Sequence, residues 1–180
     1  MSLFLDIFGY LSVVLRGLTL LAQSFTLGGI AFQVLLLRPL QDKLSDDAIL
    51  VGKKCQRTLR ISARAWGLFT FASLAINVAA LVGTLDLSWR EAAGADFARF
   101  ELAVGVCARV ISLLARTGSW TAPRAAALVA LGALALALQL NLTHAASRLE
   151  VRWPLLLADA LHMLGAGVWI GGLPYFLMAL

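Results

Sequence analysis

Apolar residues in this chain come in long unbroken runs, not in the three-and-four spacing of a helix half in water. Five runs reach the roughly 20 residues that a helix rising about 1.5 Å per residue needs to cross a bilayer. The first covers Tyr10 to Leu37, with an apolar lead-in from Leu3, and Pro39 is expected to stop it. The second runs from Ala65 to about Leu85 and the third from Phe97 to about Leu114, the latter interrupted by Arg99, Glu101 and Arg109. Pro123 opens the fourth, which continues to about Ala146, and Pro154 opens the fifth, which runs to Leu180. Both prolines suit the first turn of a helix, where a missing N–H costs nothing. The pattern predicts an all-α polytopic bundle of about five transmembrane spans, residues 1–180 forming one membrane domain.

Composition agrees: 61% of the residues are hydrophobic and 14% charged, an excess that a small soluble core cannot hide. The first run is too long for a signal-peptide core and reads as a retained span. The net charge of +5 does not indicate a nucleic-acid partner, because the cations sit between apolar runs and not along one amphipathic surface. Arg38, Lys43, Lys53, Lys54, Arg57, Arg60 and Arg64 separate the first two spans, and Arg116 and Arg124 separate the third and fourth. The alternate loops carry only Arg90, then Arg148 and Arg152. Lys and Arg concentrate on cytoplasmic loops, so the N-terminus is expected outside and residues 41–60 form a basic cytoplasmic loop. That loop is read as solvated in preference to a short surface helix. With no charged residue after the fifth run, the chain reads as the N-terminal part of a longer polytopic protein.

Chemistry is sparse. Cys55 and Cys107 are far apart and form no CxxC pair, which excludes a zinc knuckle or a thioredoxin-like motif. No nucleophile–base pair, phosphate loop or pair of catalytic carboxylates is present, so an enzyme is not expected. The two histidines fall near the same ends of the fourth and fifth spans, which a short loop joins as antiparallel neighbours. His162 lies roughly 12 Å below the start of its helix and His144 about 6 Å below the end of its own, an offset that two imidazoles and a metal ion can bridge. Against this stands the plainer reading of two hydrogen-bonded interfacial histidines. Asp159 precedes His162 by three residues, so both lie on one helix face, and its carboxylate would fix the imidazole tautomer without binding the ion. Met163 offers a soft thioether suited to Cu(I), but lies about 100° round the helix and is the weakest candidate. Gly167 and Gly171 form a GxxxG pair that permits close approach of another helix, and the adjacent Gly28 and Gly29 permit the same in the first span. Arg16 is placed to snorkel towards the outer interface. Arg109 lies deeper, two turns from Glu101, and either contacts a neighbouring span or reaches for the inner surface.

The fifth span carries a resemblance. Leu157-Ala158-Asp159-Ala160-Leu161-His162, followed by Gly165-Ala166-Gly167-Val168-Trp169-Ile170-Gly171-Gly172-Leu173, resembles the signature helix of the copper resistance protein D (CopD) family. Thr143-His144-Ala145-Ala146 is similar to that family's His-Ala turn, and Gly28-Gly29, Phe32 and Arg38-Pro39 to its opening helix. The resemblance implies a bacterial inner-membrane protein of about eight spans, concerned with copper resistance and uptake. It implies a periplasmic copper site at His144 and His162, with Asp159 in support, and a periplasmic copper-binding protein as a possible partner. This chain departs from the expected pattern in having no His or Met cluster in the first span or the outer loops. Two alternatives stand beside it: a haem-binding electron-transfer protein with the histidines as axial ligands, and a structural subunit of a respiratory or assembly complex.

Overall fold

The computed structural model describes residues 2–40, 46–85, 87–116, 120–143 and 151–180, and among these every regular element is helical. Helix α1 (Ser2–Phe32) passes through one π-helical turn (Gln33–Leu37) into a last turn, α2 (Arg38–Leu40). Then come α3 (Asp46–Leu85), the short α4 (Trp89–Gly94), α5 (Asp96–Leu114), α6 (Ala122–Leu140) and α7 (Arg152–Ala179). Four helices are long and apolar enough to cross a membrane: Phe8–Leu40, Ile49–Leu85, Ala122–Leu140 and Arg152–Ala179. Helix α5 matches the expected third span in position and has the length, but carries Asp96, Arg99, Glu101 and Arg109.

Two boundaries differ from the sequence reading. Pro39 does not end the first helix. The π turn moves the Arg38 N–H onto the Gln33 carbonyl, five residues back, and the helix carries its proline one residue further. Of the expected 41–60 loop, residues 41–45 lie outside the described residues, and 46–60 are not a solvated loop but the opening turns of α3, with no proline to break them. Cys55, Leu59, Ser62, Ala63 and Trp66 recur at helical spacing and are all buried, while Lys53, Lys54 and Arg57 point outwards. The 40 residues of α3 span about 60 Å, twice the hydrocarbon thickness, so this helix extends well beyond a crossing.

The helices pack in the order α7–α1–α3–α5–α6, and α6 returns to touch α1. Helices α1 and α7 run parallel and meet on glycine. A Cβ at Gly171 would fall on the Ser24 carbonyl, one at Gly28 on the Gly171 and Gly172 backbone, and one at Gly29 on the Tyr175 ring. The expected role of these glycines is borne out, with α1 and α7 as the two partners. Tyr175 is fully buried there, donates its hydroxyl to the Phe25 carbonyl at 2.9 Å and stacks on Phe32. The main core lies around it, from Leu37, Cys55, Leu59 and Trp66 to Ile111 and Leu128.

Helices α3 and α5 are antiparallel. Ser112 donates to the Arg60 carbonyl near one end, and Ser73 and Asn77 reach Glu101 near the other. Arg38, Lys53, Lys54, Arg57, Arg60, Arg64, Arg109, Arg116 and Arg124 therefore gather at the Tyr175 end, where Arg64 feels the charges of Arg116, Arg60 and Arg109. The opposite end carries both signs: Arg16, Arg90, Arg99 and Arg152 with Glu91, Asp96, Glu101 and Asp159. Helix α4 closes that end. Ser88 and Glu91 form a reciprocal capping box at its start, and Ala92 is buried against Val78 and Ala98.

Candidate functional site

The N-terminal half of α7 presents Asp159, His162 and Met163 to a cavity of about 750 Å³. Its opposite wall is α1, with Arg16, Leu20, Gln23 and Ser24, and Thr143, just after α6, closes one side. Gly17 lines it too and faces open space, since a Cβ there would meet nothing within 4 Å. His162 is exposed and Asp159 half-buried. They share a face, as their spacing requires, but no hydrogen bond joins them among the described residues. His144 lies outside the described residues; its chain neighbour Thr143 lines the cavity.

The expected pairing of the last two spans needs correction. Helix α7 packs chiefly on α1, and α6 chiefly on α5, with only slight contact between α6 and α7. The physical reason is the glycine seam: backbone-to-backbone approach at Gly28 and Gly171 outweighs proximity along the chain. What faces His162 is therefore α1 with its Arg16. Among the described residues no three His, Cys, Asp or Glu side chains gather into a metal-holding group.

A second cavity of about 280 Å³ adjoins the first and shares Arg16, Leu20, Thr143 and Met163 with it. Its lining is unusually polar for the interior of an apolar bundle. Glu101 of α5 accepts from Asn77 and Ser73 of α3, both at 3.5 Å, and lies within electrostatic reach of Arg16. Thr70 and Gln139 complete the ring from α3 and α6. The sequence reading weighed Glu101 only against Arg109 and missed this cluster. The available signal was the polar stripe Thr70-Ser73-Asn77, at i, i+3 and i+7 on one face of an otherwise apolar run. Arg109 instead lies against Gly67 of α3 on the other half of the bundle, its aliphatic stem 3.1 Å from where a Cβ would stand.

The fold and these chambers are those of a helical membrane protein with several long apolar helices around a polar interior. Comparison with protein families, curated proteins and solved structures yields no match.

Proposed function

We propose that this chain is a copper-handling protein of the bacterial inner membrane, with copper as its cargo. Helix α5, the third in order, is taken as a membrane crossing too, which makes five, with the basic Tyr175 end cytoplasmic and the N-terminus and the His162 cavity periplasmic. The observation that carries the proposal is the cavity beside α7. His162 and Asp159 open onto it, and so does Thr143, whose next residue is the second histidine. Imidazole suits copper, whereas a carboxylate suits harder ions, so Asp159 would act on His162. The resemblance of α7 to the CopD signature helix points the same way. A periplasmic copper-binding protein would deliver the ion to this mouth.

Copper binding to the purified chain tests the proposal. Replacing Asp159 with Asn should cost about 10–100-fold in affinity, and His162→Ala or His144→Ala more. Undiminished binding in the double histidine variant would overturn it.

One observation favours the haem alternative. A cavity of about 750 Å³ is in the range that holds organic cofactors, and α6 and α7 do not close it by packing together. A Soret band in the purified protein, lost in His162→Ala, would replace the copper reading with this one.

A further inference from the structure

The basic end of the bundle gathers its arginines along one seam. On α3, Lys53, Arg57, Arg60 and Arg64 recur at i, i+4, i+7 and i+11, on the face away from the buried stripe that runs from Cys55 to Trp66. Arg109 and Arg116, two turns apart, share a face of α5. Helix pairing brings the two faces together. Ser112 donates to the Arg60 carbonyl at 3.3 Å, and the stem of Arg109 crosses α3 at Gly67, where a Cβ would stand 3.1 Å from its Cδ. Arg64 accordingly lies within electrostatic reach of Arg116, Arg60 and Arg109.

Four like charges so placed repel one another, and depth adds to the cost. With α5 crossing the membrane, Arg109 lies five residues before its end, about 7.5 Å inside. Trp120, with Arg124 stacked 5.0 Å from its ring, marks the polar interface just beyond. Cations at membrane depth are normally paired. Among the described residues, none of these four side chains makes a hydrogen bond or an ion pair, and Arg60 Nε is buried without either. Snorkelling to water answers this for Arg116, exposed just past α5, but not for Arg60.

We propose that Arg60, Arg64, Arg109 and Arg116 bind the phosphate headgroup of an acidic phospholipid, in the leaflet at this end of the bundle. The site rests on α5 crossing the membrane and is independent of the copper reading. Arginine's planar fork grips phosphate oxygens two at a time, which the ammonium of lysine does not. The apolar surface beside the arginines selects a lipid over free phosphate. Leu102, Val106 and Leu113 continue the Arg109 face of α5, Leu68 stands one turn beyond Arg64 on α3, and all four are at least half exposed. Acyl chains cover that track when the headgroup is held at the arginines.

The test is thermal unfolding of the full chain in a neutral detergent, with phosphatidylglycerol, phosphatidylcholine or inorganic phosphate titrated at constant ionic strength. A ligand that binds only the folded state raises the midpoint in a saturable way. Phosphatidylglycerol is expected to do so, and the other two are not. Arg64→Gln and Arg109→Gln should each weaken its apparent affinity about fivefold, and the pair together about 25-fold. Arg116→Gln, at an exposed position, serves if either fails to fold. Lys54→Gln removes the same charge about 15 Å further along α3 and should leave the affinity unchanged. His162→Ala should leave it unchanged too, which separates this site from the copper cavity. An equal response to phosphatidylcholine or inorganic phosphate, or equal weakening by Lys54→Gln and Arg64→Gln, would overturn the site.

Discussion

Alanine at Gly171 and at Gly172 places the same methyl group on adjacent residues with opposite expected results. At Gly171 the new Cβ falls on the Ser24 carbonyl of α1, whereas at Gly172 it meets nothing within 4 Å. Gly28→Ala gives a magnitude. Its Cβ would stand 2.5 Å from the Gly167 carbonyl oxygen, where ordinary contact begins at 3.4 Å. Backbone cannot swing aside, and the Gly171 and Gly172 backbone lies nearer still, so α1 and α7 must part by at least about 0.9 Å. A gap of that size forfeits a quarter to a half of each dispersion contact across it. A buried side chain makes roughly 40–60 such contacts of about 0.1–0.2 kcal/mol, so with about half of those of Tyr175 crossing the seam the loss is about 0.5–3 kcal/mol. Gly172→Ala should be neutral or slightly stabilising, since alanine is the better helix former by about 1 kcal/mol. The assay is the unfolding midpoint of each variant in one detergent, followed by tryptophan fluorescence. Equal midpoints for Gly171→Ala and Gly172→Ala would refute the seam.

Three further outcomes follow from other contacts. Tyr175→Phe keeps the stacking on Phe32 but loses the hydrogen bond to Phe25, costing about 0.5–1.5 kcal/mol by the same assay. Cys55 is fully buried, so a membrane-impermeant thiol reagent should leave the folded protein unlabelled; with Cys55 and Cys107 replaced by Ser, Lys53→Cys is the proper reporter, and its labelling in intact cells would invert the proposed orientation. Donation from the Ser88 hydroxyl and backbone N–H holds the Glu91 carboxyl below the usual carboxylate range. That group supports α4 fully above its unfolded pKa of about 4.3 and loses its contribution as pH falls through the lower folded value. Amide-exchange protection over Trp89–Gly94 should fall in that window, and Ser88→Ala should flatten the dependence.

What the sequence revealed and what it concealed divide along physical lines. Span positions were legible because lipid imposes length and hydropathy on each helix separately, and α5, α6 and α7 begin where Phe97, Pro123 and Pro154 indicated. The α3 extension is written in the stripe Cys55-Leu59-Ser62-Trp66, but the interleaved Lys and Arg residues lower the local hydropathy below that of a span and mask its period. Helix neighbours were not legible from loop lengths. In a medium as apolar as leucine, burial does not choose partners, and close packing of small residues does. The glycines of α1 and α7 were recognised, yet nothing in either run states that they fit one another. The Glu101 cluster was hidden for a related reason: Asn77 and Ser73 of α3 stand 24 and 28 residues before Glu101 in the chain, and only the antiparallel α3–α5 pairing brings them to it.

The α1–α7 seam also sets a timetable. Gly28 and Gly171 are about 140 residues apart, and chains grow at about 5–20 residues per second, so the notch on α1 waits roughly 7–30 s for its match. Helices α3, α5 and α6 are all made in that interval. During it the Ser24–Gly29 face of a nascent chain offers a smooth, small-residue groove to any helix already in the bilayer, including the α7 of a finished copy. Crowded synthesis therefore favours exchange of α7 between chains, a failure that slower production, not greater stability, would relieve.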